Sequence, residues 1–277
     1  MEDSNINIKT INKWESSEYN VNWNPDTYVR EAYSVENTDS PEEQFFPVQV
    51  IKILDQHSEK LQGKQRVLEF GGGPSLWPSF LLAQYFDEIW FCDYSSSNLQ
   101  FIQEWLDEQP NAHDWKPYFN FLLDIKQGHH HNEAQYEAQL RSALRKGKIF
   151  RCDVHDSNLL FFNERENNPT FDMIFTSACF EAACSTYDIL EQTIRRLGEL
   201  LKPDGMLLIL TYRNASFYIS NGHTFPDLPI NEEIIREALA KAELFTEPIF
   251  TSMDVQLDDP VGDNDGLLIT YTYRKTV

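Results

Sequence analysis

Residues 67–74, Val67-Leu68-Glu69-Phe70-Gly71-Gly72-Gly73-Pro74, run from an apolar strand-like stretch into three glycines and a proline, and the helix-like LWPSFLLAQYF follows at once. In an open α/β sheet such a junction lies at the carboxyl edge of a strand, where ligands bind. Gly71 and Gly73 supply G-x-G, but the third glycine of a dinucleotide fingerprint would fall at position 76, which is Leu76. Pro74 also lacks the backbone N–H that a pyrophosphate would want. The turn is therefore shaped for close backbone approach without a phosphate. That suits a phosphate-free nucleoside such as S-adenosylmethionine better than NAD, although glycine-rich turns also occur with no ligand.

Outward from this turn, Glu88-Ile89-Trp90-Phe91-Cys92-Asp93 reads as a second buried strand ending in an acid. An acid about there bonds ribose hydroxyls, because a carboxylate accepts two O–H donors at once. The alternative is Asp93 as a cap for a helix starting near Ser96. If it holds ribose, its loss should weaken cofactor binding and leave folding nearly untouched. Cys152-Asp153-Val154 ends a third strand-like run, where Asp153 would be either an adenine-amine acceptor or a turn residue.

RVLEF, EIWFCD, KIFRCD, FDMIF and MLLILTY are short apolar runs separated by helical stretches, among them NLQFIQEWLDE, AQYEAQLRSALRK and DILEQTIRRLGELL. This alternation predicts an α/β fold with a parallel sheet. Lys202-Pro203-Asp204-Gly205 stops the last of these helices ahead of a strand. Asn221-Gly222, between SFYIS and HTFPDL, predicts an inserted hairpin with a type I′ turn. NEEIIREALAKA reads as a helix capped by Asn231, and FTEPIFTSM and LLITYTYRK supply two late strands. Residues 1–60 hold irregularly spaced aromatics, then a helix-like FFPVQVIKILDQHSEKL, and read as a cap or lid on the α/β domain of residues 61–277. The charge clusters at 163–168 and 258–265 and the His129-His130-His131 run read as polar loops, the last able at most to take up a metal adventitiously.

The chain has 277 residues and a formal net charge of −21, which argues against nucleic acid and anionic membranes as partners. With 41% hydrophobic residues it lies outside the disordered class, and its length buries a core without staples. Cys92, Cys152, Cys179 and Cys184 form no CxxC pair and read as free thiols of a reducing compartment. The polar N-terminus lacks a signal-peptide pattern, and no apolar run approaches the ~20 residues of a membrane span. A cytoplasmic protein is expected.

Taken in order, Glu69-Phe70-Gly71-Gly72-Gly73-Pro74-Ser75, Asp93-Tyr94-Ser95-Ser96-Ser97-Asn98-Leu99, Cys152-Asp153-Val154 and Ser177-Ala178-Cys179-Phe180-Glu181-Ala182-Ala183-Cys184 resemble one family. It contains the nicotinamide, phenylethanolamine and indolethylamine (thioether) methyltransferases. The likeness runs from Asn24-Pro25-Asp26-Thr27-Tyr28 to the last strand. It implies a class I, Rossmann-like methyltransferase with a mostly parallel seven-stranded sheet and an N-terminal helical cap, using S-adenosylmethionine on a small-molecule acceptor, cytosolic and monomeric. By this resemblance Tyr28 and Tyr33 clamp the cofactor, although either could be simple core. Gly71 and Gly72 meet its methionine part, with Ser75 and Trp77 nearby. Asp93, Tyr94 and Asn98 match the ribose and adenine side, Asp153 and Val154 the adenine pocket, and Ser177 and Ala183 the loop after the fourth strand.

Methyl transfer needs positioning and charge placement more than covalent chemistry, since the sulfonium already activates the methyl group. An amine acceptor must still lose its proton to a nearby carboxylate. Glu181, which matches an acid of the phenylethanolamine enzyme, is the candidate base, the alternative being a helix-start acid favoured by the dipole. The family's two substrate acids at the end of the fifth strand correspond here to Thr211 and Asn214. Trp23, Tyr212, Phe217 and Tyr218 would leave an aromatic acceptor pocket able to hold a flat or cationic molecule. Asp263 and Asp265 stand near another substrate acid of the relatives and are further candidates. The expected activity is N-methylation of a small amine or N-heteroaromatic acceptor; the alternatives are S- or O-methylation of a small molecule and cofactor binding without catalysis.

Overall fold

The computed structural model describes residues 21–35, 38, 40–61, 64–127, 132–156, 159, 170–255 and 262–276. His129-His130-His131, the 163–168 cluster and the first half of 258–265 lie outside these residues. In chain order the elements are α1 (Pro25–Ala32), α2 (Pro41–Gln56), α3 (Ser58–Leu61), β1 (Arg66–Phe70), α4 (Trp77–Leu82), β2 (Glu88–Asp93), α5 (Ser96–Leu106), α6 (Lys116–Gln127) and α7 (Glu133–Lys146). There follow β3 (Ile149–Arg151), β4 (Phe171–Ser177), α8 (Phe180–Ala183), α9 (Tyr187–Leu200), β5 (Leu201–Arg213), β6 (Phe217–Ser220), β7 (His223–Pro226), α10 (Glu232–Ala242), β8 (Ile249–Asp254) and β9 (Gly266–Tyr273).

The sheet has seven strands in the order β3-β2-β1-β4-β5-β9-β8. All pairs from β3 to β5 are parallel, while β9 is antiparallel to β5 and to β8. Because successive strand side chains point to opposite faces, the continuous apolar runs must fill two cores. Val67, Met206, Leu208 and Leu210 join the core under α2 and α4–α7, whereas Leu68, Phe70, Leu207 and Ile209 join the core under α9 and α10. A burial pattern of four buried residues after Arg66 in β1 reflects this two-sided cover. Strand order reverses between β1 and β4, so the crevice outside their carboxyl ends is the switch point of the fold.

Local chemistry explains most boundaries. Asn24 accepts from the Thr27 N–H at 3.0 Å and Pro25 opens α1, which starts a helix inside a segment that reads as irregular. Thr186 and Asn231 cap α9 and α10 in the same way. Lys202-Pro203-Asp204-Gly205 is looped out of the ladder, because Phe171 pairs with Leu201 and Met173 already pairs with Met206. Asn221 and Gly222 have φ of 51° and 70°, the two positive values a type I′ turn requires, and β6 and β7 pair around them. Helix α6 is an addition to the sequence expectation, which places no element there. Phe119, Leu122 and Leu123, spaced three and four apart, are fully buried along its inner face.

Candidate functional site

The glycine turn is held from below and from beside. The Gly71 and Gly72 N–H groups donate to the Cys92 carbonyl at 2.9 and 3.1 Å, and the Gly73 N–H donates to the Asp93 carboxylate at 2.9 Å. Gly71 and Gly73 have φ of 67° and 62°, where a side chain is strained. A Cβ on Gly71 would lie 2.0 Å from the Cys179 sulfur and one on Gly72 2.4 Å from the Phe91 ring, whereas a Cβ on Gly73 would meet nothing. At the first two glycines the side-chain direction is filled by protein. The third faces open space.

That space is a cavity of about 620 Å³ outside the ends of β1, β2, β4 and β5. Its wall includes Trp23, Tyr28, Tyr33, Gly71, Gly72, Ser75, Trp77, Asp93, Tyr94, Asp153, Val154, Ser177, Glu181, Ala183, Tyr212, Phe217 and Tyr218. Three of the residues singled out in the sequence stand outside it. Asn98, fully buried, forms a second layer: its amide donates to Asp93 at 2.9 Å and its carbonyl accepts from the Trp23 indole at 2.7 Å. Asp263 accepts from the Ser216 N–H and hydroxyl at 2.7 and 2.6 Å, which ties down the start of β6. Asp265 pairs with Arg213 at 2.6 Å and accepts from Asn214 at 2.8 Å. Neighbouring donors already occupy oxygens of both acids.

Asp93 is 8% exposed and accepts three hydrogen bonds, from Gly73, Ser95 and Asn98. Burial raises its pKa, while those donors act against the rise. Its carboxylate thus shapes the turn as well as facing the cavity, so the expectation that folding would ignore its loss is corrected. Tyr28 and Tyr33, spaced by five, point about 140° apart on an ideal helix. Tyr33 lies just past the end of α1, and the two rings meet edge to face at 6.1 Å along the cavity wall. Trp23 packs on Tyr28 at 4.7 Å and on Phe225 at 5.7 Å, and Phe225 stacks on Tyr218 at 5.1 Å. The Ser220 hydroxyl and the Asn221 N–H donate to Glu31 at 3.1 and 3.2 Å, joining α1 to the hairpin.

Glu181 is 2% exposed, at the start of α8. One carboxylate oxygen accepts from the Tyr212 N–H at 2.9 Å, and the other is buried with no partner. Burial pushes its pKa up to about 7 against the pull of backbone donors. Two further acids were missed in the sequence. Glu69 accepts from the Ser79 hydroxyl, leaves Oε1 buried and unpartnered, and is pushed up to about 8 by burial. Asp227 follows the hairpin, also leaves one buried oxygen unpartnered, and is pushed up to about 9 by burial, then by Glu181 and Asp263. Both stood in quoted stretches, but a single acid beside a strand or a turn carries no signal of its own.

Eight Asp or Glu side chains line the cavity, and among the described residues no Lys or Arg does. Such a wall favours a cation. S-adenosylmethionine fits it: a positively charged sulfonium and ammonium, an open glycine turn, aromatic walls, and the unpartnered Glu69 oxygen as acceptor. Burial holds the Cys152, Cys179 and Cys184 thiols above the ordinary thiol range, which disfavours their thiolate forms. Among the described residues no group of three or more His, Cys, Asp or Glu is placed to hold a metal, and no helix is long and apolar enough to cross a membrane.

The sequence profile of the NNMT/PNMT/TEMT family matches residues 12–275. Human nicotinamide N-methyltransferase is 29% identical over 254 residues, which cover 90% of this chain and 92% of that protein. Bovine phenylethanolamine N-methyltransferase is 27% identical, covering 76% of this chain and 73% of that one. The crystal structure of an S-adenosylmethionine-dependent methyltransferase from Clostridium acetobutylicum superposes with a TM-score of 0.52 at 12% identity, over 91% of this chain and 99% of that one, which is a likeness of fold.

Proposed function

Because the chain belongs to the NNMT/PNMT/TEMT family of S-adenosylmethionine-dependent methyltransferases, we propose that it transfers the methyl group to the nitrogen of a small amine, with Glu181 as the proton acceptor. The observation that carries this reading is the unpartnered Glu181 oxygen, buried at the cavity wall on a carboxyl group pushed up to about 7. A base works best when its pKa is near the operating pH, and this one is placed where an acceptor would lie beside aromatic walls.

When bound, the cofactor supplies an electrophilic methyl group on a positively charged sulfur. The chain's own residues do the rest. Gly71, Gly72 and Glu69 would hold the methionine part, Asp93 the ribose, and Tyr94, Asp153 and Val154 the adenine, with Ser75, Trp77, Ser177 and Ala183 filling the wall between them. Tyr28 and Tyr33 would close over the cofactor from an N-terminal cap, for which we take residues 1–60, with residues 61–277 as the methyltransferase domain. Trp23, Tyr212, Phe217 and Tyr218 would orient the acceptor and exclude water. Glu181 takes a proton from the acceptor ammonium, freeing the lone pair that attacks in line. With the cofactor bound, that lone pair would receive its methyl group, and the electron pair of the S–CH₃ bond would remain on its sulfur.

Four free cysteines support a reducing, cytoplasmic setting, and the −21 charge supports a working partner other than nucleic acid; we take the active form as a monomer. Incubation with methyl-labelled S-adenosylmethionine and a panel of amines, pyridines, thioethers and phenols tests the reading. Label on an amine is the expected result. Tight cofactor binding with no label on any acceptor would overturn it.

A further inference from the structure

Asp227 belongs to no motif named above, yet its carboxyl group lines the same cavity as Glu181. Backbone contacts set both positions. The Asp227 N–H donates to the Ser216 carbonyl at 2.8 Å, and the next N–H, of Leu228, donates to the Glu181 carbonyl at 2.7 Å. The segment leaving the hairpin is thereby stitched directly to α8. Each acid keeps one buried oxygen without a partner. Two acids that line one cavity, each with a buried oxygen lacking a partner and with no described Lys or Arg on the wall, leave a demand that a cationic donor would meet. The other acids near the end of β5 do not compete, since Asp263 and Asp265 are taken up by Ser216, Arg213 and Asn214.

We propose that Asp227 pairs with Glu181 to bind the ammonium group of an aliphatic amine acceptor, and that Asp227 sets a preference for such cations over neutral heteroaromatic acceptors. This rests on the methyltransferase reading above. An ammonium has three donors, so it can satisfy both orphaned oxygens at once. A neutral ring nitrogen has none to offer. After Glu181 takes the proton, Asp227 keeps its charge next to the methylated ammonium that forms, which stabilises the product cation in the cavity. Burial, and then repulsion from Glu181 and Asp263, push Asp227 up to about 9, so the empty pair resists holding two negative charges and the cation relieves that repulsion.

The test uses the full chain saturated with S-adenosylhomocysteine, and calorimetry with benzylamine as the cationic probe and quinoline as the neutral one. Asp227→Asn keeps the shape, and Asp227→Ser serves as a second variant; thermal melting verifies that each folds. Both should bind benzylamine roughly 10- to 100-fold more weakly, as expected for loss of a charged hydrogen-bond partner, with quinoline and S-adenosylhomocysteine affinities unchanged. Benzylamine affinity equal to wild type in the variants overturns the assignment, as does a wild type that binds S-adenosylhomocysteine but no benzylamine. Equal losses for benzylamine and quinoline also overturn it, since they mean a lost shape rather than a lost charge. Failure of wild type to bind S-adenosylhomocysteine overturns the methyltransferase reading itself and this assignment with it.

Discussion

The Asp93 carboxylate at the tip of β2 accepts the Gly73 N–H at 2.9 Å, so the acid facing the cavity also holds the glycine turn at the end of the neighbouring strand. One side chain links the shape of the turn to the cofactor end of the cavity. Asp93→Ala leaves the Gly73, Ser95 and Asn98 donors without their acceptor. We expect S-adenosylmethionine affinity to fall roughly 10- to 150-fold and stability by about 3 kcal/mol. Calorimetry and urea unfolding read the two effects separately, and unchanged affinity would remove Asp93 from the cofactor site.

The glycines of that turn separate packing from ligand access. Gly71→Ala drives a methyl group into the Cys179 sulfur and should destabilise by several kcal/mol. Gly73→Ala meets no protein atom and should cost only about 1 kcal/mol, from its positive φ. Since its new methyl group faces the cavity, Gly73→Ala should fold and yet bind cofactor poorly. Normal cofactor affinity in Gly73→Ala would show that the ligand stands off the turn.

Glu181→Gln retains the hydrogen bond from Tyr212 and removes the base. Turnover of an alkylamine should fall roughly 10²- to 10⁴-fold at neutral pH, with cofactor affinity little changed. The wild-type rate should rise with pH through about 7, as the carboxyl group loses its proton, and the variant should lack that limb. At high pH the variant should recover partly, because more acceptor arrives neutral. An acceptor that is already neutral at pH 7, such as a pyridine, should lose little. Equal losses on both acceptor types would leave Glu181 a structural residue.

Glu69 makes the stability of the ligand-free protein depend on pH. Its folded-state pKa, about 8, is raised above the ordinary carboxyl value of 4.5 by burial. The folded state therefore holds the proton more tightly than the unfolded chain, and stability is full below about pH 4.5 and is lost as pH rises through about 8. The slope from this group approaches about 1.4 kcal/mol per pH unit. Urea unfolding at pH 5, 6.5 and 8 should show wild type weakening more than Glu69→Gln. Parallel curves for the two proteins would mean that Glu69 is ionised in the fold.

Glu31 fastens the cap to the hairpin through Ser220 and Asn221. Glu31→Ala should speed hydrogen exchange in β6, β7 and α1 without changing exchange in β1 or β4. Bound S-adenosylhomocysteine should slow exchange in α1 in the wild type, and equal exchange with and without it would count against a cap that closes on the cofactor.

What the amino-acid sequence by itself determined was everything written in local pattern. The apolar run Val67–Phe70 ending in glycines, the acid closing β2, the alternation of strands with amphipathic helices, Asn221-Gly222 in its turn and Asn231 at its cap all act within a few residues, so they are legible one stretch at a time. Helix α6 lies outside the sequence expectation although its Phe119, Leu122 and Leu123 spacing was present, and α1, within the helical cap that the resemblance implied, has its local signal in Asn24-Pro25. Only the tertiary structure decided which carboxyl oxygens remain free. Asp263 and Asp265 look as available in sequence as Glu181 or Asp227. Folding places Ser216, Arg213 and Asn214 against the first two, and leaves an oxygen of each of the others buried and without a donor. Hydrogen-bond satisfaction depends on neighbours brought in from distant strands, and that dependence, not the identity of the acid, selects the groups left to meet a ligand.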